Sequence, residues 1–327
     1  MICLGIESTA HTFGIGILKN SKVLADKRSV YKPKSGWGII PNECAKHHKM
    51  VKNRLLESAL NEAGIDINSV DVISYACGPG LPPCLLVGAE LAYYLSKKYG
   101  KNLIKVHHGI AHIEIGRFLN DVSDPIILYL SGGHNCILTF VDDSYKILGE
   151  TLDITCANAI DTLAREIGIK PPYGQNFDKY ALRGKKFINL PYVVKGMDLS
   201  FSGILTAALK EFKRGVRKED ICYSMQEVCF SMITEVTERA LAHTGKDEVL
   251  VVGGLGASKR LREMLSIMCK ERGAKLFFTP PEYSRDNGVM IAITALLICK
   301  KCKTLPKIKE KILPKWRIDN VSICWVK

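Results

Sequence analysis

ICLGIESTAHTFGIGIL, residues 2–18, is the stretch whose reading decides the fold. Two apolar runs, ICLGI (2–6) and FGIGIL (13–18), flank the polar turn ESTAHT. That is the pattern of a β-hairpin with hydroxyl groups at its tip. The arrangement returns about 125 residues later as IILYL (126–130), the turn SGGHN, and CILTFV (136–141). A repeated strand, small polar turn and strand predict two similar lobes, each presenting a turn of small residues to a shared cleft.

Working outward, the first hairpin is followed by a helix at about 42–63, ended by Gly64, and a strand VDVISYAC (70–77). GPGLPP (78–83) leads into a helix through Lys98, then a strand NLIKVH (102–107) and a short helix at about 108–119. Beyond the second hairpin the sequence predicts a helix at about 156–167, a Pro/Gly loop at 170–176 and further helices through 243. VLVVGG (249–254) reads as a buried strand ending in two glycines, LFFTPP (276–281) as a strand broken by prolines, and about 287–300 as the last long helix. Strands alternating with helices over short connections make an α/β fold. The expected boundaries are a first lobe at 1–124, a second at 125–295, and a basic tail at 296–327 packing back on the first lobe.

The chain has 327 residues, 47% hydrophobic and 24% charged, which excludes disordered and low-complexity classes. Its longest apolar run, VMIAITALLIC (289–299), is too short for a membrane span, and the N-terminus lacks the signature of a secretory signal. A soluble, cytoplasmic protein without a membrane partner is expected. The net charge of +13 favours an anionic partner such as nucleic acid, against the plainer reading of a solvated lysine-rich surface. More than half of that excess lies in residues 300–317, where Lys300, Lys301, Lys303, Lys307, Lys309, Lys311, Lys315 and Arg317 face one acid, Glu310. The twelve cysteines are scattered, mostly in apolar runs, and read as small buried hydrophobes rather than disulfides. Cys299 and Cys302 form one CxxC with no second pair at zinc-site spacing.

Two patterns carry chemistry. In HHGIAH (107–112), His108 and His112 are one helical turn apart and within reach of one metal ion. The alternative is a pair of surface or helix-capping histidines. Gly109 stands where a zinc protease carries its general-base Glu. The second pattern is glycine at strand ends, SGG (131–133) and GGLGAS (253–258), where a phosphate or flat ring can approach the backbone. Two hairpin turns in two lobes, together with GGLGAS, resemble the actin–Hsp70–sugar-kinase (ASKHA, RNase H-like) superfamily, which implies a two-lobed fold with an interlobe nucleotide cleft.

The chain as a whole resembles the universal tRNA threonylcarbamoyltransferase family, TsaD in bacteria and the KEOPS catalytic subunit in archaea and eukaryotes. The likeness runs through GIESTAHT (5–12), PNECAKHH (41–48), GPGL (78–81), HHGIAHIEIGR (107–117), LYLSGG (128–133), GETLDI (149–154), NAIDTLARE (158–166), DLSFSG (198–203), VVGGLGASKRLREM (251–264) and RDNGVMIA (285–292). Its details look archaeal. The resemblance implies transfer of a threonylcarbamoyl group from threonylcarbamoyl-AMP to N6 of the adenosine 3′ of the anticodon, in tRNAs reading ANN codons. It implies one iron or zinc ion on His108, His112 and Asp286, the last expected from the second lobe. It implies ATP, or the AMP moiety of the donor, bound by Tyr129, Ser131, Gly132, Gly133, Asp161, Gly174, Asp178 and Ser258. The implied partners are tRNA and the other KEOPS subunits: a kinase-like ATPase, a small dimerising subunit and a tRNA-binding subunit. Ser258 stands where the family usually has Asn, Asp178 where it has Glu, and PPYGQ where it has YPGGP. Two other readings stay open from the residues alone: a metalloprotease, and a nucleotide-binding scaffold or slow ATPase.

Overall fold

The computed structural model describes residues 1–33, 38–172, 174–305, 308 and 310–326. Tyr173, Lys307 and Lys309 of the segments singled out above lie outside the described residues. The chain divides into two compact units. One is Met1–Phe118 with Asp142–Tyr145 and Arg285–Lys327; the other is Leu119–Val141 with Lys146–Ser284.

In chain order the first unit opens with β1 (Ile2–Glu7), β2 (Thr12–Lys19), β3 (Lys22–Val30), α1 (Pro41–Ala63), β4 (Val72–Gly78), α2 (Pro82–Tyr99), β5 (Asn102–His107) and α3 (His108–Asn120). The second unit follows with β6 (Ile126–Leu130), β7 (Asn135–Val141), β8 (Ser144–Glu150, all but its first two residues), α4 (Cys156–Glu166), α5 (Gly174–Ala181), the short pair β9 (Val194–Lys195) and β10 (Asp198–Leu199), α6 (Ser202–Lys213), α7 (Lys218–Thr244), β11 (Glu248–Val252), α8 (Lys259–Glu271) and β12 (Lys275–Phe278). The last helix, α9 (Gly288–Lys301), returns to the first unit.

The two sheets follow one plan. The first has the order β3-β2-β1-β4-β5 and the second β12-β11-β6-β7-β8. In each, an antiparallel hairpin (β1 with β2, β6 with β7) has a parallel strand on its other side (β4 beside β1, β11 beside β6). β3 and β8, which the sequence reading did not assign, extend the hairpins. Their sequences, KVLADKRSV and SYKILGE, are mostly only half-buried and lack an apolar run.

Period-two alternation explains the quoted stretch. Leu4, Ile6, Phe13, Ile15 and Ile17 enter the core formed with α1 and α2. Gly5, Gly14 and Gly16 face the other way, onto α9. A Cβ on Gly5 would stand 2.2 Å from the Gly288 carbonyl oxygen, and one on Gly16 the same distance from Val289 N. Only glycine permits this backbone-on-backbone crossing. It also explains a departure from the expected boundaries: residues from Arg285 onward belong with the first unit instead of ending the second at 295, because α9 is wedged against the hairpin.

Caps fix the helices near the site. Pro41 starts α1 and Gly64, left-handed at φ 63°, ends it. Asn287 caps α9, its side-chain oxygen accepting from Met290 N at 2.8 Å. The C-terminal segment lies on the first unit. Leu313 N donates to the Cys77 carbonyl at 2.7 Å, and Leu313 and Trp316 pack on the α1–α2 core. Cys302 is not a partner of Cys299: it forms a disulfide with Cys324, 22 residues on. The reading of all cysteines as reduced hydrophobes is therefore corrected for this pair. CxxC spacing weighed only the sequence neighbour, whereas the return of the tail brings Cys324 alongside.

Candidate metal centre and nucleotide turns

β5 passes into α3 without a loop. His107 Nε2 donates to the Trp316 carbonyl at 3.1 Å, and its Nδ1 accepts from Ile110 N at 3.2 Å, so this imidazole caps the helix and anchors the tail. His108 and His112 follow on one face of α3, their rings perpendicular with centroids 4.8 Å apart. Asp286, just before α9, completes the group. Its Oδ1 is 3.3 Å from His112 Nε2 and 3.7 Å from His108 Nε2. One donor atom from each of the three lies within 4.8 Å of the others. Two imidazoles and a carboxylate at this spacing suit a divalent transition metal and leave coordination positions open.

Glu7 lies behind this group. It is fully buried at the end of β1, and its Oε2 is 3.0 Å from His108 Nδ1. Its other oxygen accepts from Thr9 N at 2.8 Å. Burial works to lower the His108 pKa, but the Glu7 carboxylate, then Asp286, raises it to about 9. Burial likewise lowers His112, with Asp286 opposing. Burial pushes Asp286 up, yet the hydrogen bond from His112 and the charge of His108 hold it well below the usual carboxylate range. A carboxylate on Nδ1 of an imidazole leaves Nε2 to face an ion, the arrangement typical of metal-bound histidine. Sequence reasoning quoted Glu7 within GIESTAHT but gave it no role. The available signal was an acid closing an otherwise apolar buried strand.

In the second unit, Tyr129 is the penultimate residue of β6, which Leu130 ends, and the SGG turn follows. Ser131 Oγ donates to the His134 carbonyl at 3.0 Å, and the Gly132 carbonyl accepts from Thr155, the cap of α4, also at 3.0 Å. The other glycine turn packs directly on it. Gly253 has φ +95°, and a Cβ there would be 2.3 Å from the Leu130 carbonyl oxygen. Asp178, on α5, accepts from Gln226 Nε2 at 2.6 Å. Burial raises the Asp178 carboxyl, while the nearby Ser258 hydroxyl, itself buried, and Gln226 draw it down. Asp161, on α4, is pushed up to about 6 by burial, with Arg165 opposing. Gly174 opens α5, and among the described residues nothing lies within 4 Å of where a Cβ on it would stand. The two glycine turns are thus side by side, and Asp178 and Ser258 form a polar pair. Gln226, which the sequence reading did not single out, joins them from α7.

A family model described as TsaD, tRNA N6-adenosine threonylcarbamoyltransferase, matches residues 22–293. The chain belongs to the TsaD family. A relative from Sulfurisphaera tokodaii, named tRNA N6-adenosine threonylcarbamoyltransferase, is 49% identical over 99% of this chain and 98% of its own. One of the same name from Thermococcus kodakarensis is 49% identical over 99% of this chain and 100% of its own. Among solved structures, T. kodakarensis HypF superposes with a TM-score of 0.62 at 14% identity, over 90% of this chain and 47% of that one. Component A of Acidaminococcus fermentans (R)-2-hydroxyglutaryl-CoA dehydratase superposes at 0.55 and 11% identity, over 90% and 98%. Those likenesses bear on the fold alone, which is the two-lobed actin–Hsp70–sugar-kinase type. His108, His112 and Asp286 form a group that could hold a metal ion, and no described helix is long and apolar enough to cross a membrane.

Proposed function

We propose that this chain transfers a threonylcarbamoyl group from threonylcarbamoyl-AMP to N6 of the adenosine 3′ of the anticodon in tRNAs reading ANN codons. The observation that carries the reading is near-full-length identity of 49% to enzymes named for that transfer, in a chain that brings two histidines and one aspartate together. In this reading His108, His112 and Asp286 hold one iron or zinc ion. When bound, that ion supplies Lewis-acid stabilisation of negative charge on the donor.

The step forms a bond between adenosine N6 and the carbamoyl carbon and breaks that carbon's bond to the AMP phosphate oxygen. AMP leaves as the anion, and the N6 proton passes to phosphate or solvent. The donor is already an activated mixed anhydride, so the protein's task is positioning and charge stabilisation. Glu7 orients His108. Backbone N–H groups of the SGG turn (131–133) cradle phosphate, with Tyr129 beside them. Asp161, Gly174 and Asp178 take the ribose hydroxyls, and Ser258, beside the Gly253–Gly254 turn, takes the adenine. Partners in this reading are tRNA and the KEOPS subunits: the kinase-like ATPase, the small dimerising subunit and the tRNA-binding subunit.

The test incubates the chain, alone and with those subunits, with threonylcarbamoyl-AMP and a transcribed ANN-reading tRNA. Nucleosides are then analysed by mass spectrometry. Threonylcarbamoyladenosine should form with the wild-type chain and fall to background with Asp286→Asn. Full modification by that variant, or none by any wild-type assembly, overturns the reading.

A further inference from the structure

A second group of soft donors stands apart from His108, His112 and Asp286. Cys44 and His48 lie one turn apart on α1, and Cys84 lies in the first turn of α2. All three side chains are 0% exposed, and one donor atom from each lies within 4.8 Å of the others. Around a tetrahedral zinc ion, a sulfur and a nitrogen stand about 3.6 Å apart and two sulfurs about 3.8 Å. Cys44 Sγ and His48 Nε2 are 3.8 Å apart.

A fourth donor is present. The Ala10 carbonyl oxygen, in the turn between β1 and β2, accepts from His48 Nε2 at 2.8 Å and from the Cys44 thiol at 3.0 Å, protons that a bound ion would displace. An ion among these atoms would spread those two pairs by roughly half an ångström to reach zinc–ligand spacing. The imidazole is also held from behind. His48 Nδ1 is 3.3 Å from His47 Nδ1, and His47 Nε2 is 2.9 Å from the Ser29 hydroxyl. In the metal-free chain His48 Nε2–H donates to the Ala10 carbonyl and Nδ1 accepts from His47. An ion would take the place of the Nε2 proton, the imidazole shifting to the tautomer whose Nδ1–H donates to His47, as metal-bound imidazoles are commonly oriented.

We propose that Cys44, His48 and Cys84, with the Ala10 carbonyl, form a structural site for a thiophilic divalent ion, zinc. Two thiolates cancel the charge of a divalent cation, so the filled site is close to neutral and suits a dry interior. Thiolate and imidazole donors exclude magnesium and calcium, which take oxygen. Four donors from the protein close the coordination shell and leave no position for substrate. The ion would tie α1 and α2 to the turn that carries Thr9, which bonds the carboxylate oriented on His108. The proposal is independent of the transfer reaction.

The test uses the full-length chain carrying His112→Ala, so that the other group is silenced. Chelated protein is loaded with Co2+ alone, then with Zn2+ alone, against the same chain with Cys44→Ser or Cys84→Ser. About one equivalent of Co2+ should bind with a thiolate-to-cobalt charge-transfer band in the near ultraviolet, displaced by Zn2+. The band and the equivalent should be lost in each folded serine variant. X-ray absorption on the zinc-loaded His112→Ala chain needs no cysteine variant, so it decides the matter even if both serine variants fail to fold. It should give two sulfur scatterers at about 2.3 Å. A nitrogen and oxygen shell, a band that survives both substitutions, or a thiol count showing a Cys44–Cys84 disulfide in place of bound metal overturns the proposal.

Discussion

Glu7 is the residue on which the histidine pair turns. It is 0% exposed and bonded to His108 Nδ1 at 3.0 Å, so it fixes which nitrogen faces Asp286. Glu7→Gln keeps the volume and removes the charge. Metal affinity at His108, His112 and Asp286 should fall roughly 10- to 100-fold, as for other partners that orient metal-bound imidazoles. Competition against a chelator measures it, and unchanged affinity would detach Glu7 from that role. Asp161 makes a second prediction. Its carboxyl is raised to about 6 in the folded chain from an ordinary 3.8. The folded state therefore binds its proton more tightly than the unfolded state between those values. The associated stability is fully present below about 4 and is lost as pH rises through about 6. Asp161→Asn should abolish that fall and stabilise the chain near pH 7 by about 1–2 kcal/mol, allowing for solvent screening. In the proposed ribose role the same change weakens ATP binding, so Tm and affinity should move in opposite directions. An unchanged Tm-versus-pH slope would refute the electrostatic assignment.

At the scale of elements, the crossing of the β1–β2 hairpin with α9 positions Asp286, two residues before Gly288. Gly16→Ala would put a Cβ 2.2 Å from Val289 N and 2.4 Å from the Gly288 carbonyl carbon, both backbone atoms that cannot swing aside. The hairpin must move, at a cost of about 1–3 kcal/mol. Tm and metal affinity should fall together, while Gly38→Ala, with nothing within 4 Å of the new Cβ among the described residues, should change neither. A stable Gly16→Ala chain with normal metal binding would show that the hairpin tolerates displacement. The hairpins, the histidine pair and most helices were legible because local patterns carry them: apolar runs around a polar turn, i, i+4 spacing, and Pro and Gly at the helix ends. β3 was not, because KVLADKRSV at a sheet edge lacks the buried run by which its neighbours are recognised. The company Asp286 keeps was misassigned because sequence order placed it after the second hairpin, while three glycines in the first hairpin open the space that α9 fills. The Cys302–Cys324 link and the Cys44–His48–Cys84 group share that character: each joins elements that meet only after folding.

For the whole molecule the governing quantity is charge. Lys and Arg exceed Asp and Glu by 13, and residues 300–317 hold eight of the basic side chains against one acid. A charged face is ordinarily only solvated. Here the proposed substrate is a polyanion, and Lys301, Lys303 and Lys315 stand exposed at the surface. Arg317 is instead paired with Asp319 at 3.0 Å, and Lys311 lies 5.4 Å from the centroid of the Tyr93 ring, so these two are poorer candidates for phosphate contact. Each lysine that neutralises a phosphate releases about 0.7–0.9 of a counterion on binding, which appears as slope in a plot of log affinity against log salt. Replacing Lys301, Lys303 and Lys315 together by Gln should flatten that slope by about 2 to 3 and weaken binding similarly for every tRNA. Selection of the acceptor adenosine should persist, since phosphate contacts carry no sequence information. The measurement is tRNA binding across a salt series, wild type against the triple variant, in the assembly that shows transfer activity. A slope unchanged within error would mean that tRNA does not run along this stretch. A flattened slope accompanied by altered choice among tRNAs would mean instead that the lysines read tRNA shape as well as charge.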